Sequence, residues 1–296
     1  MATQFGYKSL GFGSGDSGPA PLDVDFLTVA GGGSGSSNFH AAGAGAGGFR
    51  TSFPGGTKVT IVGGANTITV GSGATGNNGP YAPGNNGGDT TIATANGNFT
   101  SAGGGAGRHT GAPAEIGQGG SGGGGFYTGA GEGNVPPTTP PQGNDGGAPA
   151  HPQGSPTPSF PNGGGGGGAG AAAPTSNTGG GAGTASNITG SSVTRGGGGG
   201  GGGQGGSRSG GSGGGGNGAS SNTQGGGGGN GQGGGGGGGM YPNGNGGNGG
   251  NGIAIIRGPA NAAFSVSPPD NTVSSDPSFK LATFNVSGTL TYDGGG

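Results

Sequence analysis

Few side chains in this sequence could do chemistry. There are three histidines, His40, His109 and His151, no cysteines and ten acidic residues. No two histidines share a spacing that would hold zinc, and no pair of carboxylates is set for general acid and base work. Two GxSxG matches, Gly119–Gly123 and Gly210–Gly214, lack the strand before and the helix after that a nucleophile elbow requires. The phosphate-loop pattern is absent: Lys58 follows Thr57 but precedes Val59. GxGxxG is uninformative, because one residue in three is Gly and roughly ten chance matches follow from that frequency alone. Gly246–Ala254 imitates one calcium-binding nonapeptide, but Asn251 stands where the carboxylate ligand belongs and no array follows. A non-enzymatic protein without cofactor or metal is expected.

Recognition chemistry is better represented. Short polar spacers combine Tyr, Phe, Asn, Ser and occasional Arg, the composition of adaptable binding loops. The candidate contacts are Tyr81, Arg108, His109, Phe126, Tyr127, Arg208, Gln224 and Tyr241. Their rings could stack on sugars or apolar groups, and their amides could bond hydroxyls. The same residues also suit ordinary polar turns, and both readings stay open.

The elements that must position them are unusual. The chain has 296 residues, 97 of them Gly, while Leu, Ile, Val and Phe together number 35. That apolar content lies below the roughly 20% at which ordinary cores become scarce, so only a small β core is expected. Net charge is −2, with eight basic residues and no basic patch, which argues against nucleic acid. The lone Arg195-Gly196-Gly197 is too little for an RGG-type binder. No run of 18 apolar residues and no leader-like start are present, so neither membrane insertion nor signal-directed secretion is expected.

β-branched and aromatic runs predict strands at 22–30, 49–53, 58–62, 67–70 and 89–94. The most hydrophobic run, Gly252–Arg257, has nothing near it in sequence to pair with and is expected to return to the N-terminal strands. The framework residues are Phe26, Leu27, Val29, Ile61, Ile68, Ile253, Ile255 and Ile256. No helical periodicity occurs. Between them, Gly runs at 122–125, 163–168, 196–203, 213–216, 225–229 and 233–239 alternate with polar spacers. Collagen is excluded because no strict G-X-Y frame persists.

Two readings of the runs remain. They are flexible linkers, or they are extended polyglycine II helices of three residues per turn that bond to one another. The flanking strands favour the second, because a β scaffold can nucleate such packing. The expected fold is mainly β and irregular: a small β scaffold carrying a polyglycine II lattice, without α-helix. Its parts are an N-terminal docking segment (1–21), a glycine-rich body (22–258) with a Pro-rich loop (134–161), and a C-terminal β extension or attachment element (259–296).

Asp25–Ser36, Ala42–Ser52, Thr67–Ala74, Gly163–Ala173, Gly179–Gly203 and Gly246–Arg257 follow in the order seen in phage glycine-rich virion proteins. In that family an opening strand and a closing GIVIIR-like strand bracket a Gly-rich body. The chain also resembles the glycine-rich tip adhesins of T-even-type phages. The resemblance implies a sandwich of polyglycine II helices whose loops meet a host cell-surface receptor, an outer-membrane protein or glycan. It further implies a virion location in a tail or fibre, other tail or fibre proteins as partners, and a possible homo-oligomer. The Pro-rich segment and residues 259–296 have no counterpart in it. A purely structural virion component and a disordered matrix-like protein are the alternative readings.

Overall fold

The structure is a computed structural model. It describes residues 18–38, 41–109, 114–126, 129–149, 162–174, 178–203, 208–220, 222–240, 242 and 244–295. Thirteen strands occur in chain order: β1 (Leu22–Val29), β2 (Phe49–Thr51), β3 (Val59–Ile61), β4 (Gly64–Thr69), β5 (Thr90–Thr94), β6 (Gly97–Ser101), β7 (Thr184–Ser186), β8 (Val193–Arg195), β9 (Ile253–Gly258), β10 (Phe264–Ser267), β11 (Thr272–Asp276), β12 (Phe279–Phe284) and β13 (Gly288–Tyr292). All named pairs are antiparallel. No α-helix occurs among the described residues, only a 3-10 turn at Ala114–Gly117.

The long-range pairing expected of Gly252–Arg257 is present: β9 lies against β1, with Phe26 opposite Ile256 and Val29 opposite Ile253. The first sheet runs β11-β12-β9-β1-β2, with β3 also paired to β1, and the second runs β10-β13-β4-β5-β6. Period-two alternation gives β1 and β9 two apolar faces. Val24, Phe26, Ala254 and Ile256 join Ile61, Ile68, Ile92, Phe284 and Leu290 in the larger core cluster. Leu27, Val29, Ile253 and Ile255 face the other way and pack with Phe49, Ile188 and Leu281.

Residues 259–296 are not laid apart from this body. β12 extends the first sheet against β9, β13 enters the second beside β4, and Phe264, Phe284, Leu290 and Tyr292 share the common core. A boundary at 258 therefore does not separate two cores. The reason is composition: the glycine-rich body has too few large apolar residues to cover both sheets, and the last strands supply them.

The glycine runs form neither strand nor α-helix, yet their backbone is bonded in a strict order. From 31 to 38, successive N–H groups turn to three different neighbours. Gly31, Ser34 and Ser37 donate to the carbonyls of Gly88, Asn85 and Ala82 at 2.9–3.0 Å. Gly32, Gly35 and Asn38 donate to Gly250, Gly247 and Gly244 at 2.8–2.9 Å, and Gly33 and Ser36 to Gly45 and Ala42 at 3.0–3.1 Å. A step of three on both partners is the signature of a helix with three residues per turn. Opposite counting directions make these neighbours antiparallel. The same segment accepts from Gly104 and Gly107, from Gly236 and Gly239, and from Ala74. Six neighbours thus surround one helix.

Segment 196–203 bonds through all eight N–H groups and repeats the rule from Gly197 on, while Gly196, at the start, reaches the turn at Gln232. Gly196, Gly199 and Gly202 donate to Gln232, Ala44 and Ala41; Gly197, Gly200 and Gly203 to Gly213, Gly216 and Ala219; Gly198 and Gly201 to Gly181 and Thr178. The Gly runs are a polyglycine II lattice and not linkers.

Packing at this distance leaves no room for a side chain at the inner positions. A Cβ at Gly199 would overlap the carbonyl of Gly236, and one at Gly236 the carbonyl of Gly247. Gly199→Val and Gly236→Val are each expected to cost at least about 3 kcal/mol, the upper range for overpacking, because backbone cannot rotate aside as a side chain can. Urea denaturation reads this directly, and an unchanged midpoint in either variant rejects the close packing.

Candidate functional site

The register fixes where the lattice segments end. β1 feeds residues 30–37 outward from the sheets. Segment 244–251, antiparallel to it, returns into β9. At the far level Ser36 bonds Ala42, Ser37 bonds Ala82, Asn38 bonds Gly244, Arg108 bonds Gly124, Gly163 bonds Gly202, Gly203 bonds Ala219 and Gly239 bonds Ser36. The molecule therefore has two poles. Sheets close one, together with the turns near Ala169, Gly213 and Gly233, and a second set of turns lies at the other.

Tyr81, Arg108, His109, Phe126, Arg208 and Gln224 all belong to this distal pole. They come from five separate connections that are far apart in sequence. Their exposures differ sharply. Tyr81 is 54% exposed, with φ of 57°. Gln224 is exposed and Arg208 half-buried. Arg108, His109 and Phe126 are buried, at 7%, 1% and 2%. For these three a surface contact is corrected to an interior role. Lattice segments diverge as they turn, and only large side chains fill the gap. The rings form a file from solvent inward: Tyr81 lies 5.5 Å from His109, which lies 5.0 Å from Phe126. Arg108 Nη1 donates to the carbonyl of Gly129, tying the adjacent connection down. Arg208 Nη1 donates to Thr178 Oγ1, and its backbone bridges Gly218. Tyr127 and Tyr241 lie outside the described residues, as do His40 and His151.

A recess of about 370 Å³ opens beside Tyr81, lined by Asn38, Asn78, Gly79, Pro80, Pro242, Gly244 and Asn245. It carries three side-chain amides and no charge. Asn38 Oδ1 is buried there without a hydrogen-bond partner. An unpaired buried acceptor costs about 1–3 kcal/mol, which a donor placed in the recess offsets.

The framework residues named from the sequence lie in the sheets: Phe26, Leu27, Val29, Ile61, Ile68, Ile253, Ile255 and Ile256 are all buried. Ser121 of the first GxSxG match is fully buried inside the lattice, where its carbonyl accepts from Gly105 and its N–H donates to Ala46. Among the described residues no group of three or more His, Asp or Glu could hold a metal ion. No helix there is long and apolar enough to cross a membrane.

Sequence reasoning missed two arginine sites at the sheet pole. Arg257 lies over Phe279 at 3.7 Å and Phe53 at 4.4 Å while donating to the carbonyl of Ile188, so it pins the connection between β7 and β8 onto the first sheet. Arg50 of edge strand β2 lies over Phe99 at 3.8 Å and donates to the carbonyl of Thr100. Burial lowers its guanidinium below the usual value, and it stays a cation. A cavity of about 290 Å³ opens beside it, walled by Phe26, Phe49, Phe99, Pro140 and Pro141. The only signal was Phe49-Arg50-Thr51, a short aromatic and basic strand. The Pro-rich stretch that completes the wall is anchored: Asn134 Oδ1 accepts from Thr138 and Gln142, and the Gln142 carbonyl caps the Phe49 N–H.

The inward file and the outward ring predict different mutational costs. Phe126→Ala is expected to destabilise by about 3–5 kcal/mol as a large-to-small change in a packed site. Tyr81→Ala is expected to stay within about 0.5 kcal/mol of wild type, as an exposed substitution. Thermal or urea unfolding of the two variants side by side checks the contrast; equal costs reject the assignment of inside and outside.

No curated protein matches this chain in sequence. A family model described as a glycine-rich domain matches residues 16–259, more than four-fifths of the chain. The match runs from just before β1 to the end of β9, so it takes in the strands that open and close the lattice and all of the Gly runs between them. β10 to β13 lie beyond it, although they complete both sheets. The match thus spans the lattice and its framing strands but not the C-terminal strands that share their core, and the chain belongs to the glycine-rich domain family.

Proposed function

We propose that this protein is a non-enzymatic adhesin that presents the distal pole to a cell-surface receptor, in the manner of a phage tail-fibre or fibre-tip protein. The observation that supports this most is that connections far apart in sequence place exposed side chains at the distal end of the lattice. A stiff scaffold whose interior tolerates almost no large side chain leaves these connections to carry the side chains that can meet a partner. Loops held at both ends by lattice bonds lose less freedom on binding than free loops do. Tyr81 supplies an exposed ring, Gln224 an exposed amide, and the Asn38–Asn78–Asn245 recess a neutral set of hydrogen-bonding groups. This chemistry suits a polar, uncharged epitope on an outer-membrane protein or glycan.

The sheet pole is the natural place of attachment. Pro19 and Gly294 lie beside each other there, at the end of the lattice away from Tyr81 and Gln224. Contacts with other virion proteins, and any assembly with further copies, belong to that pole in this reading. Residues 1–17 of the expected docking segment lie outside the described residues.

Fluorescently labelled protein, applied to a panel of intact bacterial strains, is expected to show saturable binding on at least one. Combining Tyr81→Ala with Gln224→Ala should weaken it by about fivefold or more, the loss of roughly 1 kcal/mol expected of central interface side chains. Binding that is absent throughout the panel, or unaffected by the pair, favours a purely structural component.

A further inference from the structure

The cavity at the sheet pole stands apart from the receptor face and has a chemistry of its own. Its walls are aromatic and apolar: Phe26 and Phe99 meet edge-on with centroids 4.4 Å apart, and Phe49, Pro140 and Pro141 close the sides. Arg50 brings a cation into this wall. Of its five N–H donors, one bond goes to protein, from Nη1 to the Thr100 carbonyl at 2.8 Å. No carboxylate among the described residues answers it. Among the described residues the ion pair found joins Lys58 to Asp25 at 3.7 Å.

Around the same space stand the hydroxyls of Thr57, Thr139 and Thr184, the first two on exposed residues and the third half-buried. None bonds to protein. The fourth threonine, Thr51, differs: its Oγ1 donates to the Phe26 carbonyl and accepts from the Phe53 N–H, so it holds the edge strand in shape.

We infer that this cavity is a binding site for a carboxylate-bearing monosaccharide, a uronic acid in the simplest case. Three complementarities select that class. The half-buried Arg50 guanidinium has donors left over beyond the Thr100 carbonyl, and its fork matches a carboxylate. The rings of Pro140 and Pro141, both exposed, suit the C–H face of a pyranose. The free threonine hydroxyls, each both donor and acceptor, suit sugar hydroxyls and have nothing to offer an unsubstituted ring. The volume of about 290 Å³ lies at the small end of ligand pockets and takes a single ring. Because the site sits at the opposite pole, it neither requires nor excludes the receptor reading.

The test is isothermal titration or ligand-observed NMR of the full chain with three probes: sodium glucuronate, glucose and cyclohexanecarboxylate. Glucuronate is expected to bind saturably, with each of the other two at least about tenfold weaker, since glucose lacks the anion and the cyclohexane acid lacks the hydroxyls. Arg50→Gln is expected to reduce glucuronate to the level of glucose. Arg50 also packs on Phe99, so the pair Thr57→Val and Thr139→Val, both at exposed positions, provides a second variant. It should weaken glucuronate about threefold or more while leaving cyclohexanecarboxylate and the melting temperature unchanged. No saturable glucuronate binding, equal binding of glucuronate and glucose, or equal binding of the two acids overturns the inference. Cell binding through the distal pole is measured separately, so failure here is distinguishable from failure of the adhesin reading.

Discussion

Every backbone N–H in a packed interior must find an acceptor, and in this protein that requirement is met with hardly any side chains. A strand satisfies its neighbours in one plane. A three-residue helix turns its N–H groups to three directions, so each segment needs neighbours all round. The segment 31–38 shows the consequence: its bonds reach 82–88, 244–250 and 42–45, and it receives others from 74, 104–107 and 236–239. No pair of segments is stable alone, because two-thirds of the donors would then face nothing. The lattice is cooperative by geometry, and the ordering cost of glycine is met only when many segments assemble together.

This explains why the sheets matter although they hold few residues. Glycine runs have no preferred register, since every residue is alike. The β1–β9 pairing sets two segments in register by side-chain identity, through Phe26 against Ile256 and Leu27 against Ile255. From that edge the step of three propagates. The C-terminal strands reinforce the same seed: β12 pairs with β9 and β13 with β4, covering the core from the far end of the chain. Their position beyond the family match, in the same core, suits an added buttress on a shared lattice.

What could be read from the sequence follows the same division. Strands with β-branched and aromatic residues were legible, including the return of 252–257 to the N-terminal strands, because apolar period-two runs state which face is buried. The three-residue helix was legible as a possibility, because long Gly runs let such helices approach closely enough to bond one another. Which segments touch was not legible: the pairing of 199 with 44, or of 35 with 247, leaves no trace in runs of identical residues. Burial at the turns was hidden for a related reason. Arg108-His109 and Phe126, flanked by Gly, look like exposed loop residues, yet the divergence of the segments above the lattice draws them inward. The Arg50 cavity was hidden because Phe49, Phe99 and Pro140 come from three elements brought together only by the completed fold.

The two poles then differ in what change they can accept. Inside the lattice a single methyl group meets backbone, as at Gly199 and Gly236, so substitution there is opposed at every layer. At the distal pole the exposed parts of the connections, such as Tyr81 and Gln224, lie beyond the last lattice bonds and can alter more freely than the buried Arg108, His109 and Phe126. At the sheet pole the edge strand β2 and the anchored Pro-rich stretch form a walled cavity that depends on side-chain packing and tolerates change as an ordinary core does. Rigidity in the lattice thus frames its far end: the backbone bonds beneath the turns do not depend on loop side chains, whereas the connection that carries Tyr81 is itself held by Ser37 Oγ, Asn77 Nδ2 and the His109 ring.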